Sequence, residues 1–132
     1  MRRLQLVTVL VDEYDPAIRF FVDVLGFELV ADDPALTRAG VGKRWVVVRP
    51  RGAQTGLLLA RADGAGQQRA VGAQTPGRVG FFLEVDDFEA ALRRMRDAAV
   101  VFLGEPRTEP YGRVVVFLDV AGNRWDLLER LG

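Results

Sequence analysis

The chain contains no cysteine and no histidine. Without cysteine there are no disulfides, thiolate metal sites or thiol nucleophiles. Without histidine no Ser-His-Asp or Cys-His arrangement can form, no imidazole moves protons near neutral pH, and the commonest ligand of zinc, iron or nickel is missing. Acid–base chemistry therefore falls to carboxylates, tyrosine, lysine or arginine. Net charge is absent too: 18 lysines and arginines balance 18 aspartates and glutamates. No basic excess is left to neutralise a phosphate backbone, so nucleic acid is not an expected partner. Long apolar runs are also missing. The opening MRRLQLVTVLV begins like an export signal but stops at Asp12 without a small-residue cleavage site, and it reads as a buried strand. Together these absences point to a cytoplasmic protein with no membrane partner.

What is present is enough apolar content, 49% of 132 residues, to build the core of one domain. It is arranged twice. Val7–Ala17, VTVLVDEYDPA, is echoed 74 residues further on by Phe81–Ala91, FFLEVDDFEAA: an apolar run, an acidic pair, an aromatic and a helix start. In the first half, Leu4–Val11 reads as a strand, and Asp15-Pro16 as the cap and first turn of a helix. Ala17, Phe20, Phe21, Val24 and Leu25 form that helix's apolar face, and Gly26 stops it. Phe27–Ala31, Arg44–Arg49 and Thr55–Ala60 follow as strands, with Asp32–Lys43 a polar loop and Pro50–Gly52 a turn. Arg61–Gly77 is rich in glycine, alanine and glutamine and reads as a linker with one helical turn at Gln67–Val71. Arg78–Val85 then repeats the strand. Asp86 or Asp87 caps a second helix with Phe88, Ala91, Leu92 and Met95 on its apolar face, and Arg93, Arg94 and Arg96 on a solvated one. Val100–Leu103, Gly112–Asp119 and Arg124–Arg130 complete the set, the last two joined by the turn Ala121-Gly122-Asn123. The order predicts one domain over residues 1–132, with a first module at about 1–61, a linker at about 62–77 and a second module at about 78–132.

Asp15-Pro16-Ala17-Ile18-Arg19-Phe20-Phe21 with Val24-Leu25-Gly26-Phe27, and Asp119-Val120-Ala121-Gly122-Asn123-Arg124-Trp125-Asp126-Leu127-Leu128, resemble the opening and closing motifs of the vicinal-oxygen-chelate superfamily. That superfamily holds glyoxalases, extradiol dioxygenases and bleomycin-resistance proteins. The resemblance implies an α+β fold of two tandem βαβββ modules forming curved mixed sheets around a cavity, commonly as a homodimer. In metal-dependent members one histidine and one glutamate from each module hold the metal. Carried onto this chain, the histidine positions fall on Leu6 and Gly80, and the glutamate positions on Leu58 and Asp126. Three of these cannot coordinate through a side chain, so no metal or other cofactor is expected. The alternative is a divalent cation at low occupancy on Glu84 and Asp126, a set short of the oxygens a hard cation usually takes.

Strand alternation places Leu6, Thr8 and Leu10 on one face, with Gly80, Phe82 and Glu84 at the matching positions and Arg124, Asp126 and Leu128 on the last strand. Glu84 reads either as an ion-pair partner of Arg124 or as a ligand anchor or general base, its pKa raised by apolar surroundings. Asp126 reads as a polar anchor or as a partner of Arg124 or a backbone amide. Trp45 lines the pocket or caps the core. Tyr111 lies in a loop at the pocket mouth, whereas Tyr14 reads as helix packing. The candidate ligand-binding set is therefore Leu6, Thr8, Trp45, Leu58, Phe82, Glu84, Tyr111, Arg124 and Asp126, with Glu84 the candidate catalytic residue. The expected function is binding or sequestration of a small amphipathic organic molecule. The alternatives are a glyoxalase-like lyase or isomerase, or a dioxygenase-like enzyme, using Glu84 and Asp126, and an interaction module with a vestigial pocket.

Overall fold

A computed structural model describes residues 1–34 and 42–131 of the chain, which divides into two compact units, Met1–Val71 and Gly72–Gly132. The first unit contains β1 (Leu6–Val11), α1 (Tyr14–Arg19) running on through a π-helical turn at Phe20–Val24, β2 (Glu28–Pro34), β3 (Arg44–Arg49), β4 (Gly56–Arg61) and α2 (Gly64–Ala70). The second contains β5 (Val79–Glu84), α3 (Phe88–Asp97), β6 (Arg107–Glu109), β7 (Gly112–Leu118) and β8 (Arg124–Arg130). Each unit folds a four-stranded mixed sheet, in the orders β1-β4-β3-β2 and β5-β8-β7-β6. In each, the first strand pairs parallel with the last and the other pairings are antiparallel. This is the α+β architecture that the family resemblance implied. No helix among the described residues is long and apolar enough to cross a membrane.

The two sheets share a register as well as an order. Thr8 faces Leu58, which faces Val47, in the first; Phe82 faces Asp126, which faces Val116, in the second. Strand alternation then sorts the side chains. Val9, Val11, Val46, Val48 and Leu59 are buried on the side of α1, where Tyr14, Ala17 and Phe21 are also buried. Val115, Phe117, Trp125 and Leu127 are buried on the side of α3 with Phe88, Leu92 and Met95. Trp125 stacks between Phe81 and Phe117, at centroid distances of 4.6 and 5.8 Å. Each fully buried aliphatic or aromatic side chain contributes about 1.5–3 kcal/mol, so these two layers hold the units together.

Both helices start under the same clasp. Arg44, three residues before the residue opposite Leu58, lies 5.1 Å from the centroid of the Tyr14 ring and bonds Asp15 at 2.8 Å. Arg113, three residues before the residue opposite Asp126, lies 4.5 Å from the Phe88 ring and pairs with Glu89 at 2.5 Å. A guanidinium over an aromatic face, bonded to the acid that follows it, ties each helix start to the third strand of its own sheet.

Several expectations need correction. Asp15 does not cap α1: the helix begins at Tyr14 without a side-chain cap, because the Asp15 carboxylate is taken by Arg44. Asp87, by contrast, accepts the Ala90 N–H at 3.0 Å and caps α3. Asp32–Pro34 belongs to β2 rather than to a loop, held by Arg44 reaching Asp32 across the sheet at 3.0 and 2.7 Å; residues 35–41 of the expected loop lie outside the described residues. The expected linker carries a seven-residue helix, α2, which begins before Gln67. The edge of the second sheet is split. Val101 and Leu103 bond Leu118 and Val116 of β7, but Gly104, at φ +106°, and Pro106, which has no N–H to donate, interrupt the ladder. The regular strand is Arg107–Glu109.

Candidate functional site

The face of each sheet turned away from its helix carries every residue singled out on a strand. In the first unit, Leu6 and Trp45 line a cleft of about 130 Å³ with Val47, Arg49 and Gly56, and Trp45 remains 47% exposed, so it is not a core residue. Thr8 and Leu58 sit side by side on the same face, off that cleft. Arg3 also lines the cleft, and Arg49 donates to Glu28 at 3.2 and 2.9 Å.

The second unit presents a different surface. Phe82 lies beside Asp126 and is 66% exposed, as is expected of a ring with no helix above it. Asp126 is partly buried, and its Oδ1 is enclosed with no hydrogen-bond partner among the described residues. Burial pushes its pKa above the usual carboxylate value, and the positive charge of Arg107 offsets part of that rise. Arg107, opposite Val114 on the same face, is held by Glu109 at 2.8 Å and also feels the nearby Tyr111 and Asp126. Tyr111, in the β6–β7 connection, is 52% exposed. An unsatisfied buried carboxylate oxygen costs about 1–3 kcal/mol or more, so its place is one where a donor is wanted.

Glu84 is placed otherwise than the sequence led us to expect. Its partner is Arg130, at 3.1 Å, and not Arg124, and its side chain is 55% exposed rather than desolvated. Arg124 bonds neither carboxylate; it donates Nη1 to the Gly77 carbonyl at 3.2 Å. Asp126 and Phe82 therefore form one pair, with Tyr111 further along the sheet beside Leu131, while Glu84 and Arg124 lie on either side of that pair along the strands. Arg107 is absent from the sequence-derived set, which assigns no strand between Leu103 and Gly112; the alternation Arg107-Thr108-Glu109, which puts both charges on one face of a strand, is the available signal.

The four positions implied for a metal hold Leu6, Leu58, Gly80 and Asp126. Leu6 is regularly paired with Gly56, whereas Gly80 sits in a bulge between Val79 and Phe81 and presents no side chain. One carboxylate among two leucines and a glycine does not fit a transition-metal ligand set. Among the described residues, no three histidine, cysteine, aspartate or glutamate side chains gather as a metal site would need.

The chain resembles known proteins over nearly its whole length. An uncharacterized protein of Shewanella frigidimarina (strain NCIMB 400) is 43% identical over 124 residues, covering 93% of this chain and 90% of the relative. The uncharacterized protein YetH of Bacillus subtilis (strain 168) is 30% identical over 132 residues, covering 98% and 99%. The crystal structure of TnmS3, an antibiotic binding protein from Streptomyces sp. CB03234, superposes with a TM-score of 0.76 at 32% identity, covering 99% of this chain and 98% of that one. The family model for the Glyoxalase/Bleomycin resistance protein/Dioxygenase superfamily matches residues 3–127. Matched from β1 to β8 and sharing the fold of its solved neighbours, this chain belongs to the glyoxalase/bleomycin resistance protein/dioxygenase superfamily.

Proposed function

We propose that this protein binds a small amphipathic organic molecule on the helix-free faces of its sheets, stoichiometrically and without the metal site of its catalytic relatives. The observation that carries this reading is the enclosed Oδ1 of Asp126, unpartnered among the described residues, beside the exposed ring of Phe82. A carboxylate beside an exposed aromatic ring suits a ligand that offers one N–H or O–H donor on an apolar body. The likeness to TnmS3, described as an antibiotic binding protein, supports the same class of ligand. Exposed aromatic rings at Trp45 and Phe82 favour a homodimer that covers them, as the family resemblance also implies. Glu84 remains available as a base in an enzymatic reading, but its pairing with Arg130 and its exposure give that role less support than the anchoring role of Asp126 has.

The test has two arms. Protein purified without chelator is analysed for metals, and its melting temperature is followed against aromatic natural products and α-dicarbonyl thiol adducts. Stabilisation by a natural product, reduced about tenfold in affinity by Asp126→Asn, is the expected result. A tightly held, near-stoichiometric transition metal would overturn it.

A further inference from the structure

The second unit holds a groove of about 260 Å³ between the segment around residues 72–78 and the turn joining β7 to β8. We propose that this groove is an anion subsite, taking a carboxylate, sulfonate or phenolate carried by the ligand whose apolar body lies along β7 and β8. This rests on the small-molecule reading above and adds to it the charge of the ligand and where that charge sits.

Arg78 and Arg124 line the groove, and no aspartate or glutamate does. Six other arginines, Arg44, Arg49, Arg61, Arg107, Arg113 and Arg130, are each held by a carboxylate. Among the described residues Arg124 has only the Gly77 carbonyl, at 3.2 Å, an uncharged acceptor. The acid nearest in the turn is unavailable. Asp119 is buried and already accepts the backbone N–H groups of Ala121, Gly122 and Asn123, the Asn123 amide and the Trp125 indole. Two positive charges thus flank one groove without compensation, and a forked guanidinium is the side chain best matched to a planar oxyanion.

The groove is also built to keep its shape. Gly72, at φ +73°, lies flush on the turn, where any Cβ would collide with the Ala121 carbonyl oxygen. Leu118 lines the groove and pairs with Arg124, on the same face as Asp126 and Val116 two residues along. At about 3.3 Å per residue the Arg124 and Asp126 positions are about 7 Å apart along the strand. One compact molecule can therefore place an oxyanion at Arg124 and a donor at Asp126.

A matched pair of dyes separates charge from apolar contact: anilinonaphthalene sulfonate, and its neutral counterpart phenylnaphthylamine. Fluorescence titration should show the anionic dye bound at least about tenfold tighter, with the advantage shrinking as salt is added. The double variant Arg78→Gln/Arg124→Gln should lose that advantage while still binding the neutral dye, and Arg78→Lys/Arg124→Lys should restore part of it. Both side chains are exposed, and circular dichroism checks that the variants fold. Equal binding of the two dyes by the native chain, or an undiminished preference in the glutamine variant, overturns the subsite while leaving the small-molecule reading standing. If neither dye binds, the small-molecule reading fails and the subsite fails with it.

Discussion

The first sheet and the second are built on one plan, yet their helix-free faces have little in common. At the three central register positions the first unit has Thr8, Leu58 and Val47, and the second has Phe82, Asp126 and Val116. On the helix side the two agree in detail, down to Arg44 over Tyr14 and Arg113 over Phe88. The difference follows from what each face must satisfy. Close packing against a helix leaves few substitutions tolerable, whereas the other face is free of that constraint and can take up chemistry. In this chain the chemistry is concentrated in the second unit: an unpartnered carboxylate, Arg107 beside it and an uncompensated basic groove. The first unit offers Leu6, Trp45 and Val47 as an apolar wall, with Arg3 and a Glu28-paired Arg49 at its cleft.

The largest test of this comparison lies in the two turns that lead into the last strands. Ala53 donates to the Pro50 carbonyl and Gly122 to the Asp119 carbonyl, each at 3.0 Å, so the backbone turns match. Asp119 adds a buried carboxylate accepting five hydrogen bonds, including the Trp125 indole N–H at 2.8 Å. Asp119→Ala leaves several buried donors unmatched and should cost about 3 kcal/mol or more in urea denaturation. Pro50→Ala should cost no more than about 1 kcal/mol, chiefly through the unfolded chain. Equal effects would mean that the Asp119 carboxylate contributes nothing beyond the turn itself.

The clasps come next. Arg44→Gln removes the paired bonds to Asp32 and the bond to Asp15 and should cost about 1 kcal/mol at neutral pH, discounted for exposure. Arg113→Gln should cost less, since its partner Glu89 is 58% exposed. The Arg44 effect has a pH signature. Hydrogen bonds from Arg44 hold Asp32 below its ordinary value of 3.8 against the opposing effect of burial. A depressed folded pKa contributes stability that is present above the ordinary value and lost as pH falls through the folded one. Thermal melts of the native chain and Arg44→Gln should therefore differ most at neutral pH and converge below pH 3.8.

How much of this was legible beforehand depends on whether a feature was local or repeated. The strand order and the helix faces could be read because periodicity and the 74-residue echo checked each other. The equivalence of Leu6 with Gly80 and of Leu58 with Asp126 followed from laying one half on the other, but the strand pairings of Thr8 with Leu58 and Phe82 with Asp126 did not. Long-range partnerships were not legible. Nothing near Glu84 in the chain distinguishes Arg130 from Arg124 as its partner, and the Asp119–Trp125 bond was hidden in a motif read only as turn chemistry. The β6 error placed the edge strand on the more apolar segment, Val100–Leu103, although an edge strand is where charged residues such as Arg107 and Glu109 belong. That error removed Arg107, whose charge acts on Asp126, from the expected site.

The smallest expected effect is the most informative, because its sign opposes that of the Arg44 variant. Asp126 has a folded pKa above 3.8, raised by burial and only partly offset by Arg107. The folded protein therefore favours the protonated acid, and stability is lost as pH rises from 3.8 through the folded value, then stays level. Asp126→Asn removes the charge that burial disfavours and should be more stable than the native chain at neutral pH, by about 1 kcal/mol or less, with the gap closing on acidification. In an Arg107→Gln background the gain should grow, since the Arg107 charge that offsets part of the rise is gone. A bound ligand that donates to Oδ1 should reverse the order, making the native chain the more stable of the two by mass action. Asp126→Asn less stable than the native chain in the ligand-free state would mean that the carboxylate already has its donor, and the second unit would then be no more open to a ligand than the first.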